Sequence, residues 1–224
     1  MNIRRNLERD GFAFIAGWRA LSDTEKVARS LGVLWKLGPP FELSGIPDIQ
    51  ELSPKKRDSA RRNSYSSAFG LSEFPLHTDL AHLRHPPRYL VLRCIKGFAS
   101  VQTQVLRASE FASTVGRSCV EKALVRPRWV PAGHKLCMLP LKFRTDGDEA
   151  MRWDSKFLVP MNKSAERIAL SFHAAAWEKA IYIRLENPGD TLIVDNYQAL
   201  HGRSAVPAQA IDRRIERAYL SEVF

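Results

Sequence analysis

The chain predicts a mostly β fold with flanking helices, a β-sandwich or jelly roll, and three observations carry that expectation. Short alternating or apolar runs recur between Gly, Pro and Asp turn signals from Phe12 to Val223. Only a few stretches show helical periodicity, which leaves them to pack outside the sheets. No repeat, low-complexity tract or linker divides the 224 residues, so one domain spanning 1–224 is expected.

In chain order, Asp10-Gly11 reads as a turn into a strand at Phe12–Ile15. Ser22-Asp23-Thr24-Glu25 has the spacing of a capping box, opening a helix that Gly32 would close. Pro39 to Arg62 carries Gly, Pro and charge without periodicity, the pattern of a long lid or binding loop with a turn or two of helix. Pro86-Pro87 sets an extended approach to a buried strand at Tyr89–Leu92, and Gln102–Leu106 reads as another. Ser109 suits the N-cap of a helix over Glu110–Thr114, with a second short helix at Val120–Val125. Strand-like pieces follow at Arg128–Val130, Lys135–Phe143 and Met151–Val159, the last two joined by a polar turn at Gly147. Ser164–Lys179 is the clearest helix, with Ile168, Phe172, Ala175 and Ala176 on one face. Strands at Ile181–Leu185, Thr191–Asp195 and Arg217–Val223 complete the pattern, the first two separated by a tight Pro188-Gly189-Asp190 turn.

Composition narrows the function classes. A hydrophobic fraction of 45% and a charged fraction of 26% are ordinary for a soluble globular protein. No apolar run reaches the ~18–20 residues of a membrane span, so no membrane partner is expected. The first residues lack an uninterrupted apolar stretch of the secretory kind. Three cysteines without C-x-x-C spacing argue against a disulfide framework or zinc cluster and for a cytoplasmic setting. The net charge of +10 has a local run at Lys55, Lys56, Arg57, Arg61 and Arg62. No nucleic-acid-binding motif accompanies it, which disfavours nucleic acid as a partner.

The chemistry starts at His77-Thr78-Asp79. If the segment is extended, the imidazole and the carboxylate share a face, because side chains alternate with period 2. Two ligands rarely hold a labile ion, and His201 is the candidate third. Two His and one carboxylate on one face of an octahedron make the facial triad of non-haem Fe(II) oxygenases. Such chemistry takes 2-oxoglutarate and O2 as co-substrates, and a guanidinium fork suits the distal carboxylate. Arg213 lies twelve residues past His201, Arg217 four further on, and Thr103 on an earlier strand could share the carboxylate.

The segments HTDLAHLRHPPRYLVLRC, VQTQVL, GDTLIVDNYQALHGRS and DRRIERAYL, in this order, resemble the clavaminate synthase-like and taurine dioxygenase-like superfamily of Fe(II)/2-oxoglutarate oxygenases. The resemblance implies a double-stranded β-helix, or jelly roll, and covers most of the chain from Phe74 onward. It implies His77, Asp79 and His201 as metal ligands, Arg213 as the 2-oxoglutarate arginine and Thr103 as its hydroxyl partner. Arg217 resembles a second arginine facing 2-oxoglutarate or substrate, and the expected division of labour gives it an anionic group of the substrate. Arg152-Trp153-Asp154 resembles amino-acid hydroxylases of the group. Asp154, and Tyr65 if the preceding loop is a lid, are the further substrate contacts. The implied reaction is hydroxylation of a small amino acid or other small carboxylate, with release of succinate and CO2. A halogenase is disfavoured, since halide needs the position Asp79 fills. A non-catalytic jelly-roll binding protein and a nucleic-acid oxygenase remain as alternatives. Plain readings stand beside these: Thr103 as a β-branched strand residue, Arg217 in an ion pair with Glu216 or Asp212, and His82, His85, His134 and His173 as structural.

Overall fold

A computed structural model describes residues 2–36, 47–130, 136–145 and 147–224, with only the helical path for 173–177. His134 and Lys135 lie outside the described residues, as does the side chain of His173. The first part of the chain gives α1 (Ile3–Asp10), β1 (Phe12–Ile15), α2 (Thr24–Leu31), β2 (Gly32–Leu34), β3 (Gln50–Leu52) and α3 (Tyr65–Phe69). Next come β4 (Phe74–His77), β5 (Tyr89–Lys96), β6 (Gln102–Arg107), α4 (Ala108–Val115), α5 (Arg117–Lys122) and β7 (Leu124–Pro127). A small insert follows, β8 (Leu139–Pro140), β9 (Lys142–Thr145), β10 (Asp148–Met151) and β11 (Leu158–Pro160). The chain ends with α6 (Lys163–Glu178), β12 (Ile181–Arg184), β13 (Thr191–Asp195), β14 (Ala199–Arg203) and β15 (Arg214–Val223).

Two antiparallel sheets form the jelly roll. The larger runs β1-β13-β5-β15-β2 with β3 also on β15, and the smaller runs β12-β6-β14-β4. Alternation along the strands builds the layers. Leu90, Leu92, Leu192 and Val194 meet Val105, Ile183 and Ala199 of the smaller sheet in one core between the sheets. Val91, Ile193, Ala218 and Leu220 point the other way, onto Leu7, Val27, Ala28 and Leu31 of α1 and α2. On the far side Leu76, Leu106 and Leu200 pack against Phe111, Ile168 and Phe172 of α4 and α6. Each fully buried Leu, Ile or Phe contributes roughly 1.5–3 kcal/mol, so both outer helical layers are tied to the sheets. His201 follows Leu200 and therefore faces the interior with Ala199.

Several expectations are corrected by local physics. The cap of α2 is Asp23, whose side chain accepts from the Lys26 N–H, while Ser22 N–H is held by Arg19 in the preceding turn. Gly32 closes α2 as expected, but with an extended backbone at φ 177°, and its need is space: a Cβ there would lie 1.8 Å from the Glu222 carbonyl oxygen. The 110–114 helix runs from Ala108 to Val115 without a Ser109 cap, and the strand expected at 128–130 lies earlier, at Leu124–Pro127. The hairpin pairs β9 with β10, with Gly147 at φ 86°, and the stretch 152–157 that was expected to be strand is not. α1 had no sequence expectation; Asn2 caps it and Leu7 anchors it. No described helix is long and apolar enough to cross a membrane.

Candidate metal centre

His77 closes β4, and His201 sits opposite it on β14 as its register partner. Directly opposed residues in antiparallel strands bring their side chains together, and the two ring centroids are 4.4 Å apart. β4 stops at His77; Thr78 exchanges hydrogen bonds with the Trp153 backbone, and Asp79 enters a turn whose next residue, Leu80, has φ 54°. Asp79 Oδ1 lies 3.3 Å from His77 Nε2 and 3.7 Å from His201 Nε2. All three side chains are buried, and their ligand atoms lie within 4.8 Å of one another.

The donors are prepared for a cation. His77 Nδ1 donates to the Pro75 carbonyl oxygen at 2.8 Å, which leaves Nε2 as the lone-pair nitrogen. Asp79 Oδ2 accepts from Arg217 Nη1 at 3.0 Å and from the Tyr219 hydroxyl at 2.8 Å, so Oδ1 is the oxygen turned toward the imidazoles. Burial works to raise the Asp79 carboxyl, but Arg217 and the two imidazoles override it and hold it well below the usual carboxylate range. Burial, then His77, pushes His201 down to about 3, so this ring is neutral and able to ligate. At His77 burial opposes charging, and the Asp79 carboxylate outweighs it and raises the imidazole. Two imidazole nitrogens and one carboxylate oxygen from a single buried face fit octahedral Fe(II) with the opposite positions open.

Arg213 precedes β15 and is 7% exposed. Among the described residues its guanidinium makes no hydrogen bond or ion pair, and its Nε is buried without a partner. Burial pushes it down to about 10, which leaves it charged. An unpaired buried cation is costly unless an anion joins it. Thr103 is buried on β6 opposite Arg203, two positions from the pair Val105 and His201. The Cys94 thiol, pushed up to about 11 by burial, lies in the field of Arg213.

The expected substrate residues gather on the His77 side. The Tyr65 ring stacks on the His77 ring at 4.2 Å, and Phe157 meets Tyr65 edge-on at 5.5 Å. Burial, then Asp154, raises the Tyr65 phenol well above its ordinary range. Asp154 is 2% exposed; its Oδ1 accepts from the backbone N–H groups of Lys156 and Phe157, and burial raises its carboxyl. Arg217 makes neither ion pair expected of a surface arginine: its second nitrogen, Nη2, donates to Gln50 Oε1 at 2.5 Å while Nη1 holds Asp79. His82 is packed against Phe157 with its pKa lowered by burial. The basic run from Lys55 to Arg62 is largely exposed.

Sequence reasoning missed Tyr219 and Gln50, and named Arg152 only within the Arg152-Trp153-Asp154 resemblance, without its anchoring role. Tyr219 was findable, being two residues past Arg217 and thus on its face. Gln50 carries no local signal, because β3 reaches the site only by pairing with β15. Arg152 is 1% exposed and donates to the carbonyls of Ala81, Leu83 and Arg84. It fixes the loop that follows Asp79, with its guanidinium over the Phe143 ring at 4.0 Å.

No family model matches the chain. An L-lysine 3-hydroxylase from Catenulispora acidiphila is 23% identical over 189 residues, covering 77% of this chain and 51% of that protein. The chain thus spans about half the length of this curated relative. A crystal structure of asparagine oxygenase superposes with a TM-score of 0.73 at 18% identity, covering 97% of this chain and 75% of that one. The non-haem iron oxygenase OrfP, solved with Fe, succinate and (3S)-hydroxy-L-Arg, gives 0.64 at 19% identity, covering 98% and 77%. PvcB from Pseudomonas aeruginosa gives 0.65 at 17% identity, covering 97% and 78%. By fold, the chain shares the jelly roll of these solved Fe(II)/2-oxoglutarate-type oxygenases.

Proposed function

We propose that the protein is an Fe(II)- and 2-oxoglutarate-dependent oxygenase that hydroxylates a C–H bond of a small amino acid or other small carboxylate. One observation carries the reading: His77, Asp79 and His201 converge in a buried face, with one Asp79 oxygen held by Arg217 and Tyr219 and the other turned to the imidazoles. Iron in that face would couple decarboxylation of 2-oxoglutarate to O2 activation. The chain's own residues hold and orient: the triad supplies three ligands, and Arg213 offers its fork to the distal carboxylate of 2-oxoglutarate, with Thr103 as hydroxyl partner. Tyr65, Asp154 and Arg217 border the space where a substrate would meet the metal. The curated relative hydroxylates L-lysine by its name, and the solved neighbours include an asparagine oxygenase and an oxygenase solved with (3S)-hydroxy-L-Arg, which supports an amino-acid substrate. In this reading residues 1–224 make one oxygenase domain working in the cytoplasm, in keeping with free Cys94, Cys119 and Cys137.

The test is succinate formation from 2-oxoglutarate, dependent on added Fe(II), across a panel of amino acids and small acids. Substrate-stimulated succinate with a hydroxylated product supports the reading. Tight Fe(II) and 2-oxoglutarate binding with no turnover on any panel member would favour a binding protein instead.

A further inference from the structure

Asn196 lies in the short turn between β13 and β14, five residues before His201, and is 1% exposed. Its carboxamide pairs with the backbone of Asp79 on both sides. Oδ1 accepts the Asp79 N–H at 2.7 Å, and Nδ2 donates to the Asp79 carbonyl at 3.0 Å. The second Nδ2 proton goes to the Pro87 carbonyl, also at 3.0 Å. The Asn196 N–H is itself fixed to the Arg88 carbonyl at 2.6 Å. The side chain thus pairs with Asp79 as a neighbouring strand would, at the point where β4 has already ended.

The residue it precedes in space explains why such a clamp is needed. Leu80 has φ 54°, the left-handed region that branched and bulky side chains avoid at a cost of order 1–3 kcal/mol. This turn carries the chain away from Asp79 into the loop whose Pro87 and Arg88 carbonyls return to Asn196. Relaxation of Leu80 to an extended backbone would redirect that loop and pull the Asp79 carbonyl away from the Asn196 carboxamide. We propose that Asn196 is a positioning residue for the metal: it holds the Asp79 backbone in the strained turn, so that Oδ2 meets Arg217 and Tyr219 while Oδ1 stays on the ligand face. It links the ligand segment at 77–79 to the segment that carries His201. The inference rests on the metal reading above.

Co(II), titrated by its d–d absorption, is the probe, with circular dichroism reporting the fold. Wild type should bind one Co(II) per chain. Asn196→Ala should remain folded, bind Co(II) roughly 10–100-fold more weakly, as loss of a ligand-orienting partner does, and show a shifted d–d spectrum. Leu80→Val, which leaves the amide in place but resists the left-handed backbone, should reproduce the change. Leu80→Gly, which accepts that backbone freely, should retain the wild-type spectrum. Should Asn196→Ala fail to fold, the Leu80 pair decides alone. Wild-type affinity and spectrum in both folded Asn196→Ala and Leu80→Val overturn the clamp and leave the metal reading intact. Absence of Co(II) binding by wild type overturns both.

Discussion

Arg217 donates to Asp79 Oδ2 at 3.0 Å, so the cation expected to meet a substrate is already engaged by a candidate metal ligand. Gln50 takes its other nitrogen, and Tyr219 shares the same carboxylate oxygen. The arrangement moves Arg217 from the rim of the reaction toward its centre.

Arg217→Ala should therefore weaken Fe(II) binding by roughly 10–100-fold and slow 2-oxoglutarate consumption in the absence of substrate. A residue that served substrate alone would raise only the substrate KM. An unchanged iron titration with a raised KM returns Arg217 to the purely substrate-facing role.

Tyr219→Phe removes one hydrogen bond to a buried carboxylate and keeps the edge-on contact with Trp35, whose ring centroid lies 6.0 Å away. The loss should be about 1–3 kcal/mol in stability, the range for hydrogen bonds to charged groups. Because Arg217 and Tyr219 share Oδ2, the double variant should lose less than the sum of the two single losses or more, but not the sum itself. Additive denaturation midpoints would show the two donors acting independently.

Arg213→Met should raise stability and abolish 2-oxoglutarate binding together. The methionine fills similar space and removes a buried cation that no described carboxylate balances, a change worth on the order of 1–3 kcal/mol. Thermal melting with and without 2-oxoglutarate separates the effects: the variant starts higher and gains nothing from the ligand. A 2-oxoglutarate-induced shift retained in Arg213→Met would move the co-substrate's carboxylate elsewhere.

Gly202 follows His201 and lies where β14 passes β4. A Cβ there would sit 2.8 Å from the Phe74 carbonyl oxygen, so Gly202→Ala must push the two strands apart. The expected cost is about 1–3 kcal/mol, with loss of metal affinity because His77 and His201 are partners across that same pairing. Wild-type stability and metal binding in this variant would mean the strands yield freely.

What was legible in the chain follows from which signals are local. Alternation marked Leu90–Leu92 and Leu192–Val194 as strands, and the i, i+4 spacing marked α6, because those patterns are written along the sequence. The ligand trio was legible as residue types, and His77 and Asp79 turn to one side as their spacing expects, although β4 itself ends at His77. The left-handed backbone at Leu80 was not legible, since a leucine gives no sign of it. Gln50 and the anchoring role of Arg152 were invisible for a related reason: each reaches the site by pairing or burial across more than 60 residues. The insert between β7 and α6 was misread because its pieces pair in two small sheets of two and three strands, where alternation is too short to read.

Asp195 gives the pH dependence to look for away from the ligands. The carboxyl is 4% exposed, and burial, against the pull of Arg88 3.6 Å away, lifts it from 3.8 to about 6. The other charged neighbours are Tyr89, whose phenol is raised mainly by burial and further by Asp195, and Asp148, which shares Arg88. A raised folded-state value means the native protein binds this proton more tightly than the unfolded chain. The contribution is complete below about pH 3.8 and is lost as pH rises through about 6. Two units correspond to about 3 kcal/mol. Asp195→Asn stays neutral throughout and keeps an oxygen for the Tyr197 N–H, now 3.0 Å from Oδ1. The variant should therefore match wild type near pH 4 and exceed it by up to about 3 kcal/mol above pH 6, less whatever Arg88 loses when only Asp148 remains to it. Urea unfolding of both proteins at pH 4.5 and 7.5 measures the difference. A gap of the same size at both pH values would mean that Asp195 titrates as an ordinary carboxyl and that Arg88 fully offsets its burial.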